Sequence, residues 1–98
     1  MLNPTPTHLL VDSQNRPYFL WDSDIDLRRF RQLLVDKDPE VRAYFLGKLM
    51  RQAKPDDVFQ FATVATLRET WPLLERYLGD KKEFWRWLLD KWQELRIA

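Results

Sequence analysis

From Leu27 onward, apolar side chains return every third or fourth residue, the spacing of one face of an α-helix. In "IDLRRFRQLLV", Leu27, Phe30, Leu33 and Leu34 share a face, while Arg28 and Arg31 point away from it. A second helix is predicted from Pro39 to about Ala53, with a central stripe of Val41, Phe45 and Leu49 flanked by Tyr44, Leu46, Met50 and Ala53. "KPDDVFQFA" predicts a short helix with proline near its first turn and Val58, Phe59 and Phe61 on its apolar side. "TVATLRETW" predicts another, capped by Thr63 or Thr66, and Glu69 three residues after Thr66 favours the latter. Pro72 makes "PLLERYL" either a separate short helix or a bent continuation, and Gly79 reads as its C′ residue. Asp80, with Glu83 behind it, reads as the cap of a last helix, "KKEFWRWLLDKWQEL". Phe84, Leu88, Trp92 and Leu95 line one side of that helix, widened by Trp85 and Leu89.

The first 22 residues follow a different pattern. Residues 1–7 hold two prolines and two threonines and read as a loose segment. "HLLVD" and "RPYFLWD" suit strands, with "SQN" between them, so a small hairpin is predicted over 8–22. Such a hairpin is barely stable alone. Tyr18, Phe19, Leu20 and Trp21 are the side chains expected to fasten it to the helices.

The stretch "FLWDSDID" then sets three carboxylates close together. Ser23 is a good N-cap residue, Asp26 stands at the capping-box position, and Asp24 and Asp26 suit the positive end of the helix dipole. Asp22, Ser23, Asp24 and Asp26 therefore read as helix-starting residues. A metal site would need more converging ligands, and the one histidine, His8, lies in the leading segment. Asp38 and Pro39 open the second helix as cap and first residue.

Three positions do not fit the simple pattern. By rotation of about 100° per residue, Arg42 falls inside the apolar arc of the second helix. Its guanidinium needs a route to water or an acid, and Asp22, Asp24 and Asp38 are the candidates. Gly47 costs about 1 kcal/mol against alanine in mid-helix, which another element passing close would explain. Trp87 lies off the apolar face of the last helix, beside Glu83, Lys91 and Glu94. An indole among charges is either covered by a neighbouring segment, such as the N-terminal hairpin, or offered to a partner.

Composition narrows the chemistry. A chain of 98 residues with 45% apolar and 32% charged residues fits one globular domain, 1–98, with the helical bundle over 23–96. Five Trp, six Phe and three Tyr supply large buried areas to a small core. Cysteine is absent, which removes disulfides and thiol chemistry and fits a cytoplasmic setting. No apolar run approaches a membrane span, and the N-terminus lacks the pattern of a signal peptide. Gly47 and Gly79 are the two glycines, so there is no glycine-rich phosphate loop. With one histidine, nucleophilic catalysis lacks its usual base. The chain is read as a non-enzyme that needs no cofactor and no metal.

The net charge of +1 does not call for nucleic acid. Arg28, Arg29 and Arg31 form one basic patch, and Lys81, Lys82, Arg86, Lys91 and Arg96 another, but acids are interleaved with both. The stretch Thr63–Trp71 offers Arg68 and little else as a base-reading helix. A small helical DNA-binding regulator is the alternative to the leading expectation, a protein-binding module contacting its partner through Trp87, Lys91, Arg28 and Arg31. A homodimer seam would also use surplus rings.

Two stretches carry resemblances. "LLVDKDPEVRAYFLGKLM", through Leu33, Leu34, Asp38, Pro39, Val41 and Arg42, resembles the turn and second helix of a HEAT-type repeat. That resemblance implies Asp-Pro capping and an arginine reaching toward neighbouring turns. No second copy follows, and solenoids need several. The start "RPYFLWD", with Pro17, Tyr18, Phe19, Leu20, Trp21 and Asp22, followed by helices and a Trp-rich last helix, is similar to small uncharacterised prokaryotic proteins. Some of these are encoded beside abortive-infection-type nucleotidyltransferases. The likeness implies an antitoxin-like or accessory partner of such an enzyme. The expected fold is mainly α: a compact bundle of about five helices with a short N-terminal β-hairpin.

Overall fold

The computed structural model describes residues 4–95, with side chains through Trp92. The expectations placed on residues 1–3, on Arg96, and on the side chains of Glu94 and Leu95 lie outside the described residues. Among the described residues six α-helices follow in chain order: α1 (Thr7–Leu10), α2 (Leu27–Leu34), α3 (Pro39–Gln52), α4 (Pro55–Val58), α5 (Val64–Leu74) and α6 (Lys82–Leu95). Short 3-10 turns stand at Tyr18–Leu20, Glu75–Tyr77 and Gly79–Lys81. The mainly-α class holds. Among the described residues no helix is long and apolar enough to cross a membrane.

The predicted hairpin does not form. Its one trace is an isolated antiparallel bridge between Val11 and Pro17. The Pro6 carbonyl accepts from Leu9 and Leu10 N–H and winds "HLL" into α1. The Asp12 carboxylate accepts from the N–H groups of Gln14 and Arg16, both at 2.9 Å, so a side chain organises the turn that strands would have used. Asn15 takes φ +62°, a left-handed conformation that asparagine tolerates, and its carbonyl accepts from Leu27 N–H at 2.8 Å. After Pro17 the chain coils, which turns Phe19 and Leu20 fully inward. Burying such a side chain stabilises by about 2–3 kcal/mol, more than a marginal two-stranded ladder offers. Trp21, expected to anchor this region, is instead 69% exposed.

The helix starts are partly as predicted. Asp26, not Ser23, caps α2, accepting from Arg29 N–H at 2.8 Å. Residues 24–26 lie outside any helix, with Asp26 extended, so Ser23 lies three residues too early, its hydroxyl 3.5 Å from Asp22. Asp38 caps α3 through Glu40 N–H, with Pro39 as the first helical residue. Thr63, not Thr66, caps α5, because the Thr66 N–H and hydroxyl both turn back to the Thr63 hydroxyl, at 3.1 and 3.0 Å. The α5 helix runs through Pro72 and passes directly into the turn Glu75–Tyr77, so the continuous reading is correct. Gly79 has φ +55°, a conformation that disfavours other residues. Asp80 lies inside the 3-10 turn before α6, and no side chain caps that turn.

The α3 helix runs through the middle of the bundle. Leu46, Gly47, Lys48, Leu49 and Met50 are five consecutive buried residues, so its second half is covered on nearly every side. On one flank Phe19, Phe30 and Phe61 form a triangle of edge-to-face rings with centroids 5.3, 5.5 and 5.7 Å apart. On the other, Phe59 meets Trp85 at 6.0 Å and stacks on Trp92 at 5.3 Å. The predicted α3 stripe is rotated: Val41 and Phe45 are half-buried and Tyr44 is 41% exposed. The Arg42 guanidinium donates to the Asp36 carbonyl at 2.6 Å, so its partner is backbone and not one of the three carboxylates considered.

Gly47 has the close neighbour its sequence position called for. A Cβ there would lie 2.6 Å from Tyr77 Cβ, an atom fixed to the backbone of the Glu75–Tyr77 turn. Gly47→Ala gains about 1 kcal/mol in helix propensity but forces an overpacking cost of about 1–3 kcal/mol. The expected net result is a lower urea midpoint with an unchanged slope. A raised midpoint would show that the turn moves aside at little cost.

Candidate partner-binding surface

The three carboxylates of "FLWDSDID" go separate ways. Asp26 caps α2, while Asp24, 94% exposed, lies 3.5 Å from Arg16. Asp22 accepts from the Lys48 ammonium at 2.8 Å. That hydrogen bond and the Lys48 charge hold the Asp22 carboxyl below its ordinary value. Lys48 is only 4% exposed, so this ion pair is the outlet for a charge in the second half of α3. Among the described residues no three histidine or carboxylate side chains converge as a cation site.

A second acid lies in the first turn of α4. Asp57 is completely buried. Its Oδ1 accepts from the Thr5 N–H at 2.7 Å and Gln60 Nε2 at 2.8 Å, and its Oδ2 from the Thr5 hydroxyl at 2.6 Å and the Tyr18 hydroxyl at 2.5 Å. Tyr18 Oη in turn accepts from Lys54 N–H at 2.9 Å. Burial pushes the Asp57 carboxyl up, but the bonds from Thr5, Tyr18 and Gln60 outweigh it and hold the group below its ordinary value. Burial first, and then the adjoining Asp57, push the Tyr18 hydroxyl up to about 12. With four donors filling its two oxygens, Asp57 has little acceptor capacity left for a substrate; its chemistry is that of a tie. Thr5, from the segment read as loose, is thereby pinned to α4.

The α6 helix is held in one rotation about its axis. Trp85 is buried and donates its indole N–H to the Met50 carbonyl at 2.9 Å. Arg68 of α5 donates to the Leu89 carbonyl at 2.6 Å. Glu75 accepts from the Trp71 indole at 2.8 Å and from Arg86 at 3.2 Å, with Lys82 at 3.8 Å. Trp85 and Leu89 therefore form the buried stripe, with Leu88 and Trp92 half-buried beside it. Phe84, predicted on the inner face, is 41% exposed.

Trp87 is 55% exposed, so the N-terminal segment does not cover it. Its ring lies 6.4 Å from that of Phe84, one turn away on the outer side of α6. Lys91 is also exposed and engages a neighbour within the chain. Arg28 and Arg31 are exposed on α2, where Arg31 lies over the Phe61 ring at 4.8 Å. The ring contacts of the two helices thus lead to different places, Trp87 to Phe84 and Arg31 to Phe61. A further apolar surface was missed by the sequence: Trp21 and Leu9, 69% and 61% exposed, edge a groove of about 350 Å³ lined also by Val11, Pro17 and Leu20. The signal for it was weak, because an aromatic run beside a predicted hairpin reads as packing.

Comparison of the chain with protein-family models, with curated proteins and with solved structures finds no match.

The Asp57 tie has a signature in pH. The Asp57 carboxyl is depressed in the folded state, so its stabilisation is complete above the unfolded value near 3.8 and is lost as pH falls through the folded one. The Tyr18 hydroxyl is raised, so its contribution is complete below 10.0 and is lost as pH rises toward about 12. Stability measured by urea titration should form a plateau with an acid and an alkaline limb. Asp57→Asn should lower the plateau by about 2 kcal/mol and make the acid limb shallower, and Tyr18→Phe should flatten the alkaline limb. Unchanged limbs in both variants would remove this cluster from the pH response.

Proposed function

We propose that the chain is a non-catalytic protein-binding module, an antitoxin-like or accessory partner of a nucleotidyltransferase-type protein. The observation that carries the binding reading is the exposed Phe84–Trp87 pair on a helix whose rotation is fixed from behind by Trp85, Arg68 and Glu75. Large rings presented on a rigid element lose little conformational freedom on docking and make strong interface anchors. Lys91 on the same helix is proposed as a charged contact at its margin, and Arg28 and Arg31 on α2 as contacts on a separate patch. The class of partner rests on the likeness of "RPYFLWD" and the helix order to proteins encoded beside such enzymes.

Co-expression of the chain with a nucleotidyltransferase-type protein encoded beside it is the direct test. Co-purification is expected, and Trp87→Ala should reduce recovery of the partner by about tenfold or more. Equal recovery by wild type and Trp87→Ala would remove this face from the interface, and no co-purification at all would remove the partner class.

A further inference from the structure

Beside the Phe84–Trp87 pair, where the end of α3, the start of α4 and the start of α6 meet, lies a groove of about 390 Å³. Met50, Ala53 and Trp85 form its buried floor, at 2%, 9% and 1% exposure. Phe84 and Pro55 stand at its sides, and Arg51, Lys81 and Asp80 complete the lining. Two cations against one carboxylate leave this lining positive.

Arg51 and Lys81 lack the acid partners that five other cations of the chain have. Arg16, Lys48, Arg76, Lys82 and Arg86 each sit in an ion pair with an acid of the chain. Among the described residues no ion pair uses Arg51 or Lys81. The Arg51 Nε is buried without an acceptor, so the chain does not answer that guanidinium from within. The groove beside Trp21 lacks this character, because its Arg16 and Asp12 neutralise each other at 3.0 Å. In the groove of about 330 Å³ between α5 and α6, Arg68 and Arg86 are bonded to the Leu89 carbonyl and to Glu75.

We infer that this groove takes an acidic segment of the partner, with an apolar side chain seated on Met50, Trp85 and Phe84 and flanking carboxylates set against Arg51 and Lys81. An apolar floor flanked by Arg51 and Lys81, with Asp80 as the one lining acid, complements that chemistry and disfavours a basic segment. The inference rests on the protein-binding reading above and extends its surface from the outer side of α6 across Phe84 into the groove.

The probe is a phage-displayed library of random peptides of about twelve residues, panned on the immobilised full chain, with enriched peptides resynthesised for fluorescence anisotropy. Enriched sequences should carry Leu, Ile, Phe or Trp flanked by Asp or Glu. Lys81 is exposed, so Lys81→Glu should fold, which circular dichroism checks. That variant should weaken binding by roughly tenfold at low salt, and a peptide with its acids changed to Lys should prefer the variant to the wild type. Enriched peptides without acidic bias, or affinities unmoved by Lys81→Glu, would overturn the inference. Self-association of the wild type that Lys81→Glu abolishes would also overturn it, by assigning the groove to a second copy's acidic loop around Trp21–Asp26. In the co-purification assay the two proposals separate: partner loss with Trp87→Ala but not with Lys81→Glu keeps the binding face and removes the groove.

Discussion

Burial of five consecutive residues in α3, Leu46 to Met50, constrains most of what surrounds them. A helix with one apolar stripe can leave its other sides to water, but a helix covered all round must satisfy every side chain locally. Gly47 lets the Glu75–Tyr77 turn approach to a distance no Cβ would permit. Lys48 is possible there only because Asp22 meets its ammonium at 2.8 Å. Met50 offers its carbonyl to the Trp85 indole. The placement of the loop before α2, of the end of α5 and of α6 is thus written into three neighbouring positions of one helix.

A second constraint closes the N-terminal side. Asp57 gathers Thr5, Tyr18 and Gln60, which lie up to 52 residues away in sequence. A buried carboxylate with four donors is costly to leave unpaired and directional once paired. It fixes where the chain before α1 crosses α4, which the scattered apolar contacts of Leu10 and Val11 would do less specifically.

Much of this was legible in the chain, and the misses share a cause. Asp38 and Pro39 announce α3 because capping needs only local residues. Gly47 announced a close neighbour because its cost in a helix demands a return. Ser23 and Thr66 misled because several residues of capping type stand within a few positions, and the choice among them depends on where the preceding loop is pinned. The hairpin failed because β propensity reflects a half-buried sheet surface, and here the rings of Phe19 and Phe30 provide a better burial without one. Lys48 was within reach. The rotation that flags Arg42 puts Lys48 about 20° from Val41, inside the same arc, so the search for a partner acid applied to it with more force. Asp57 was not within reach, since an acid in the first turn of a helix already has a local explanation.

The candidate surface follows from the same competition for burial. Four rings between Phe84 and Trp92 are more than one stripe of α6 can hide. Periodicity counts apolar residues and centres the stripe on Phe84, Leu88 and Trp92. Hydrogen bonding decides otherwise. A buried indole must place its N–H, and Trp85 finds the Met50 carbonyl, whereas Phe84 has no polar atom to satisfy and loses less by lying at the edge. Once Trp85 is inward, Trp87 stands about 200° around the helix and cannot follow it. Arg68 at the Leu89 carbonyl and Arg86 at Glu75 then hold that rotation from the α5 side. The exposed pair is therefore a consequence of where one indole nitrogen finds its acceptor.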